Sequence, residues 1–303
     1  MIWRYDTFEE GPPAEFHGDF LLTEGLVIGG SDSPSSGFIY AFEDTSGRVR
    51  WKLPVPGGVG SRVHRHGDLV LAVSLRGAVL GVQLEDGSLR WRAEGPATEA
   101  QYLHAGDSAL ARGQLFVPWR PGLVDAFDAD TGELLWRREL AARLTTSAAL
   151  FGGELVVGTQ AGELLRLDPA SGELLGAFDP GDPGGILYGN LVPAGDCLLV
   201  IEASGVNELL EPTGRSSVSC VRPSASEIRW QHSSEQPWTT PSSLVWGGAV
   251  VVGHTDSLQV LDLKDGTRSW EWQLDGTPRG VGALNELLYV GTRGGKLMAL
   301  PWN

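Results

Sequence analysis

The amino-acid sequence predicts an all-β chain made of one four-stranded unit used seven times. Three observations carry this. Glycine makes 42 of the 303 residues while 42% are hydrophobic, the composition of a folded chain whose short apolar runs are broken by many turns. A glycine, a second glycine ten residues on and a tryptophan four further recur at one spacing, in Gly37, Gly47 and Trp51, in Gly77, Gly87 and Trp91, and in Gly122, Gly132 and Trp136. The units average about 43 residues, the length of a four-stranded propeller blade.

The remaining units follow in order. The fourth, Gly162, Gly172 and Gly176, keeps the spacing but has glycine where tryptophan stood. Next comes Ser216, Ser226 and Trp230, with serine for both glycines, and then Asp256, Gly266 and Trp270. The last unit starts at Gly295 and the sequence stops at Asn303, short of a tryptophan strand, while Trp3 stands near the start with no strands ahead of it. The expectation is one domain over residues 1–303, an all-β, seven-bladed β-propeller of four-stranded blades, its ring closed by the N-terminal strand joining the C-terminal blade.

Within a unit the strands are legible. In the fourth, Thr146 to Leu150, Glu154 to Gly158, Glu163 to Asp168 and the segment from Glu173 read as first to fourth strands. Between third and fourth strands, the run from Asp128 to Gly132 is a turn: an aspartate bonds amides just ahead of it and glycine takes the positive φ. The tryptophan on each outer strand reads as a buried ring, with Ala41, Gly81, Ala126, Cys220 and Ala299 as the small residues that leave room for it. Arg166 breaks that row in the unit that also lacks tryptophan.

Charge narrows the class of partner. Lys and Arg number 23 against 38 Asp and Glu, a net charge of −15, which repels phosphate backbones and anionic lipid surfaces, so neither nucleic acid nor a membrane is expected as a partner. The first ten residues carry no apolar core of signal length and no stretch approaches 18 apolar residues, so the expected compartment is the cytoplasm. Cys197 and Cys220 fall on the second and third strands of the fifth unit and are expected as two buried thiols.

The segment from Gly122 to Trp136 resembles the pyrroloquinoline-quinone-type β-propeller repeat, and the resemblance runs through essentially the whole chain. The family's quinoprotein alcohol dehydrogenases are larger, eight-bladed and periplasmic, with a calcium-bound quinone and a disulfide between adjacent cysteines. This chain has no vicinal cysteine pair. It is more similar to the scaffold-type members, among them the outer-membrane assembly lipoprotein that uses its propeller to bind proteins. The resemblance implies the fold and a non-quinoprotein member; no cofactor is expected.

The face where a propeller's loops open is where candidate chemistry is expected. His64 and His66 alternate as two metal ligands could, but alignment puts them in a turn without a third ligand, and no metal is expected. Gly57, Gly58 and Gly60 precede a strand and lack the helix N-terminus of a phosphate site. The starts of the first strands align His17, then Asp19, Asp107, Ser147 and Ser242 two residues on in their units, as a channel lining. Loops between second and third strands carry Arg76, Trp119, Arg120, His254 and Arg293, and neighbouring segments add Arg62, Trp238 and Arg279. This partly basic rim, with Trp119 and Trp238 as aromatic anchors, is expected to hold another protein or a small anionic ligand at the channel mouth. Leu209 and Leu210, in the stretch from Glu202 to Gly214, suggest a second contact or a loop folded back on its sheet.

With no nucleophile elbow, phosphate loop or histidine–carboxylate pair in view, the expected function is a non-catalytic protein-interaction scaffold. The alternative is a small-molecule binder or enzyme, a lyase or quinone-type oxidoreductase, using the channel mouth.

Overall fold

The computed structural model describes residues 5, 16, 19–32, 36–96, 106–181, 185–207, 212–239, 243–284, 287–292 and 297–302. Among them the repeat folds into seven antiparallel sheets, six of four strands and one of three, each ordered as in sequence. The chain divides into two compact units, Met1–Ala141 and Ala142–Asn303.

The first unit holds three sheets: β1 to β4 (Leu21–Thr23, Leu26–Asp32, Ser36–Glu43, Val49–Pro56), β5 to β8 (His64–His66, Leu69–Val73, Ala78–Gln83, Leu89–Glu94) and β9 to β12 (Ala109–Ala111, Gln114–Trp119, Leu123–Asp128, Leu134–Glu139). The second holds β13 to β16 (Ala149–Phe151, Glu154–Gly158, Leu164–Leu167, Leu174–Phe178), β17 to β20 (Ile186–Ala194, Cys197–Val206, Pro212–Arg222, Glu227–Ser234), β21 to β24 (Leu244–Trp246, Ala249–Gly253, Ser257–Asp262, Arg268–Gln273) and β25 to β27 (Pro278–Leu284, Leu287–Thr292, Leu297–Pro301). The sequence reading of the fourth sheet agrees with these limits to within about three residues.

Burial explains the two kinds of strand. Middle strands such as β6 and β7 are apolar at nearly every position and buried on both faces, because the second sheet has a neighbour on each side within its unit. Val70, Ala72 and Leu80 pack with the first sheet's Ile28, Ile39 and Ala41, whereas Leu71, Val73 and Val79 pack with the third sheet's Leu115 and Val117. Outer strands such as β8 and β12 alternate exposed and half-buried residues, since only one face is covered.

The repeated glycine and tryptophan turn out to be two halves of one contact. Trp51 stands across from Ala41, and its Nε1 donates to the Leu84 carbonyl of the next sheet at 2.9 Å. Its ring lies on Gly87, where a Cβ would come within 2.7 Å of it. Trp91 stands across from Gly81 and lies on Gly132; Trp230 stands across from Cys220, donates to the Leu263 carbonyl at 2.8 Å and lies on Gly266. The hairpin glycine is thus both the left-handed turn residue and the floor beneath the previous sheet's ring.

The fourth sheet reverses the pair. Arg166 stands across from Gly176, its Nη2 only 2.5 Å from where a Cβ there would be, and its Nη1 reaches Glu154 Oε1 at 3.0 Å. A large residue on β15 and none on β16 replaces a small residue and a ring. The receiving hairpin of the fifth sheet changes with it: a 3-10 turn, Pro223–Ala225, leads into Ser226 at φ 51°, and no glycine floor is present because no ring arrives.

The predicted hairpin turn is present. Asp128 Oδ1 accepts from the amides of Asp130 at 3.1 Å and Thr131 at 2.9 Å, and Gly132 follows at φ 73°. The fifth sheet accounts for the long interval in the repeat, since β18 and β19 run to 10 and 11 residues and pair as far as Val206 and Pro212. The stretch read as a long loop from Glu202 is therefore mostly hairpin; Leu209 and Leu210 lie outside the described residues, as do Trp3 and the strand expected to close the last sheet.

Two expectations are corrected here. Cys197 and Cys220 are not separate thiols but a disulfide, with Cα atoms 5.4 Å apart. Register explains it: Cys220 pairs with Leu199, two residues from Cys197 on the same strand, so both side chains share a face and lie on the diagonal. His64 and His66 lie in β5 and not in the turn, which falls at Gly67.

Candidate functional site

The first-strand ends of the first unit converge. Asp19, Arg62 and Asp107, drawn from three successive repeats, form one ion-pair cluster: Arg62 Nε donates to Asp19 Oδ2 at 3.2 Å and its Nη2 to the same oxygen, while the Arg62 amide donates to Asp107 Oδ1 at 3.0 Å. Aligned positions in the sequence are thus neighbours in space, because each repeat starts its first strand at the same place. The Arg62 and Asp19 side chains remain about half exposed.

The two histidines of β5 turn toward the third sheet. His64 Nε2 lies 2.9 Å from the Ser108 carbonyl and 3.1 Å from its Oγ, and His66 Nε2 lies 3.2 Å from Asp130 Oδ1. Burial lowers the His64 pKa, opposed by the nearby Asp107 carboxylate. Their shared face serves contacts between sheets.

In the second unit the equivalent row also meets. Ser147 donates its amide to the Gly189 carbonyl at 2.9 Å, and its Oγ accepts from the Leu191 amide at 2.9 Å. Ser147 is buried, and these bonds tie the fourth and fifth sheets together. His17 and Ser242 lie outside the described residues.

Of the basic rim, Arg76 is exposed, with its aliphatic stem against Gly57, and Arg120 and His254 are half-buried. Arg293 and the Arg279 side chain lie outside the described residues. The structure places both proposed aromatic anchors in the interior. Trp119 is 0% exposed, packed against Gly95 within the core shared by the second and third sheets. Trp238, also 0% exposed, packs in the core of the fifth and sixth sheets, with the His254 ring edge-on at 5.4 Å. Both rings fill the space between sheets, which is where a large flat side chain buries most area, so neither can anchor a partner.

Polar groups lie beside both rings. Trp119 Nε1 donates to Asp125 Oδ2 at 2.9 Å, and Arg137 meets the same carboxylate through Nε and Nη2, each at 2.7 Å. Asp125 is fully buried and faces Arg137 directly across the β11–β12 pair. The signal was in the repeat: the third-strand position that is Tyr40, Leu80 and Leu165 elsewhere is aspartate here. Near Trp238, His254 Nε2 lies 2.8 Å from Ser234 Oγ, and His232 Nε2 lies 3.3 Å from Gln259 Oε1. Gln259 and Ser257 both donate to Glu271, the serine at 2.6 Å. Burial lowers the pKa of His232 and of His254; Glu271 and Asp256 oppose it at His254.

Chemically, the exposed groups, Asp19 and Arg62 in the cluster and Arg76 beside Gly57, can form ion pairs and hydrogen bonds. Four-stranded sheets packed face to face within each unit, with the Trp51, Trp91 and Trp230 rings docked on the next hairpin, define a β-propeller. The chain belongs to the family whose model is described as PQQ_2, outer membrane protein assembly factor BamB, which matches residues 1–121, 120–175 and 191–301.

Among relatives, the outer membrane protein assembly factor BamB of Legionella pneumophila is 29% identical over 168 residues, 52% of this chain and 41% of that protein. The polyvinylalcohol dehydrogenase of a Sphingopyxis species is 28% identical over 152 residues, 42% of this chain and 23% of that protein. The chain therefore spans at most about two fifths of the length of these relatives in the matched region. The crystal structure of BamB from Moraxella catarrhalis superposes with a TM-score of 0.72 over 94% of this chain and 84% of that one, at 16% identity, a likeness of fold.

These matches overturn the cytoplasmic expectation. Family and relatives are named for assembly of outer membrane proteins, and a disulfide between Cys197 and Cys220 suits an oxidising compartment. The first ten residues could not decide the matter, because the match covers only part of the relatives' length.

Proposed function

We propose that this chain is a non-catalytic protein-binding scaffold that serves in outer membrane protein assembly, holding another assembly protein on the loop face. The single observation that carries the reading is the family match along nearly all of the sequence. The ion-pair cluster of Asp19, Arg62 and Asp107, with Arg76 and Arg120 of the same unit, supplies the contact surface. Open charges of both signs on a protein of net charge −15 suit a partner that pairs charges at the rim and buries apolar surface at the centre.

A second reading, a small-molecule binder or oxidoreductase, draws on the likeness to the polyvinylalcohol dehydrogenase. One experiment separates the two. The protein is purified from its host under mild crosslinking beside a variant with Arg62, Arg76 and Arg120 changed to alanine, and outer membrane proteins are quantified in a deletion strain. The scaffold reading expects an assembly protein crosslinked to the wild type and several-fold less to the variant, with outer membrane proteins depleted in the deletion strain. Unchanged outer membrane proteins and a small molecule released on denaturation would overturn it in favour of the second.

A further inference from the structure

Among the described residues, the outermost strand of each four-stranded sheet has one unpaired edge, and such edges are usually guarded by charge or proline. Five of the six are. The exposed residues on either side of the repeat's tryptophan position are Arg50 and Lys52 on β4, Arg90 and Arg92 on β8, Leu135 and Arg137 on β12, Arg229 and Gln231 on β20, and Ser269 and Glu271 on β24. Strand β4 adds Pro54 and Pro56. Strand β16 alone has none: its sequence is Leu-Leu-Gly-Ala-Phe, and the corresponding exposed residues are Leu175 and Ala177.

The exposure is real. Leu174 and Leu175 are 40% and 44% exposed. Gly176, at the place of the tryptophan, brings no ring to the strand, and the large side chain that replaces it, Arg166, sits on the inner neighbour β15 and is held there by Glu154. The packing solution that removed the ring therefore left β16 slim, apolar and without a charge of its own. Its ends are acidic: Glu173 precedes it and Asp179 follows it, both exposed.

We infer that β16 is a docking edge that takes an extended apolar segment of another protein, with lysine or arginine at the segment's ends, as an added strand of the fourth sheet. Main-chain hydrogen bonds along Leu174–Phe178 would supply the pairing. Leu175 and Ala177 would meet alternate apolar side chains of the guest, and Glu173 and Asp179 its basic ends. Charge complementarity selects this occupant: a neutral, acidic-flanked edge rejects acidic strands and a second copy of itself, whose like-charged ends would face each other in part of the possible registers. A docking edge at β16 does not depend on the function proposed above.

The probe is a ten-residue peptide of alternating valine and threonine with two lysines at each end, titrated into the intact protein. The guarded variants are Leu175→Lys and Ala177→Lys, both at exposed positions; Gln231→Lys on β20 is the control. Binding in the micromolar range, weakened at least tenfold by either β16 variant and unchanged by the control, with slowed amide exchange at residues 176–178, is the expected result. A peptide with glutamates in place of the lysines should bind at least tenfold more weakly. No binding at millimolar peptide, or binding indifferent to both variants, overturns the proposal. So does concentration-dependent dimerisation that the β16 variants abolish, which would give the edge to a second copy. Unchanged melting of each variant shows that the fold is intact when the titration is read.

Discussion

Replacing Gly132 by alanine tests the idea that ring and hairpin glycine form one contact. Two costs are expected there. The residue sits at φ 73°, where an L side chain costs about 1–2 kcal/mol. Its new Cβ would also lie 2.4 Å from Trp91 Cε3, far inside van der Waals contact, so the indole or the hairpin must move, at about 1–3 kcal/mol for overpacking. The sum is about 2–5 kcal/mol. Gly67 isolates the first cost: it is a turn glycine of the same unit at φ 55° with nothing within 4 Å of an added Cβ. Urea unfolding followed by circular dichroism should therefore place Gly132→Ala about 1–3 kcal/mol below Gly67→Ala, and Trp91→Ala should abolish the difference. Equal destabilisation by both glycine variants, or a gap that persists without Trp91, would refute the docking argument.

The remaining predictions concern the polar interior. Changing Asp125 to alanine leaves the buried Trp119 N–H without its acceptor and returns the Arg137 guanidinium to solvent, and thermal melting should show a loss of about 1–3 kcal/mol. His64, His232 and His254 all have pKa values lowered by burial. The unfolded chain thus takes up protons first, and urea stability should be full above about pH 6.5 and fall as pH drops below it; His64→Gln should flatten part of that slope, and a flat profile in the wild type would contradict the assignment. Reducing the disulfide, which closes a 23-residue separation, should cost about 3 kcal/mol, read as a lower urea midpoint in dithiothreitol that the Cys197→Ser, Cys220→Ser double variant reproduces without reductant. Gly176→Trp alone should destabilise the fourth sheet by collision with Arg166, and Arg166→Ala in the same chain should restore much of the loss, checked by melting of the single and double variants.

What could be read from the sequence was whatever repeats. Spacing of glycine and tryptophan gave seven units, alternation of apolar residues gave the strands, and the Asp–Gly turns gave the hairpins, because each depends on residues within a few positions of one another. Alignment of the repeats also brought Asp19 and Asp107 into one row with Arg62 beside it, and these three do meet. The rim, by contrast, was assembled on the premise that residues near loop ends face outward. Trp119 and Trp238 obey that premise in sequence and violate it in space, since each ring turns into the gap between two sheets.

The sequence by itself determined the architecture and its unit, since a strand-period pattern repeated at blade length has few other ways to bury its apolar faces. The tertiary structure alone decided which glycine lies under which ring, that Arg166 and Gly176 exchange roles across one pair, that the buried Asp125 carboxylate binds both Trp119 and Arg137, and that Cys197 reaches Cys220. Each of these joins residues on different strands or sheets. Their meeting depends on register and on the packing of one sheet against the next, quantities that no single segment of the chain contains.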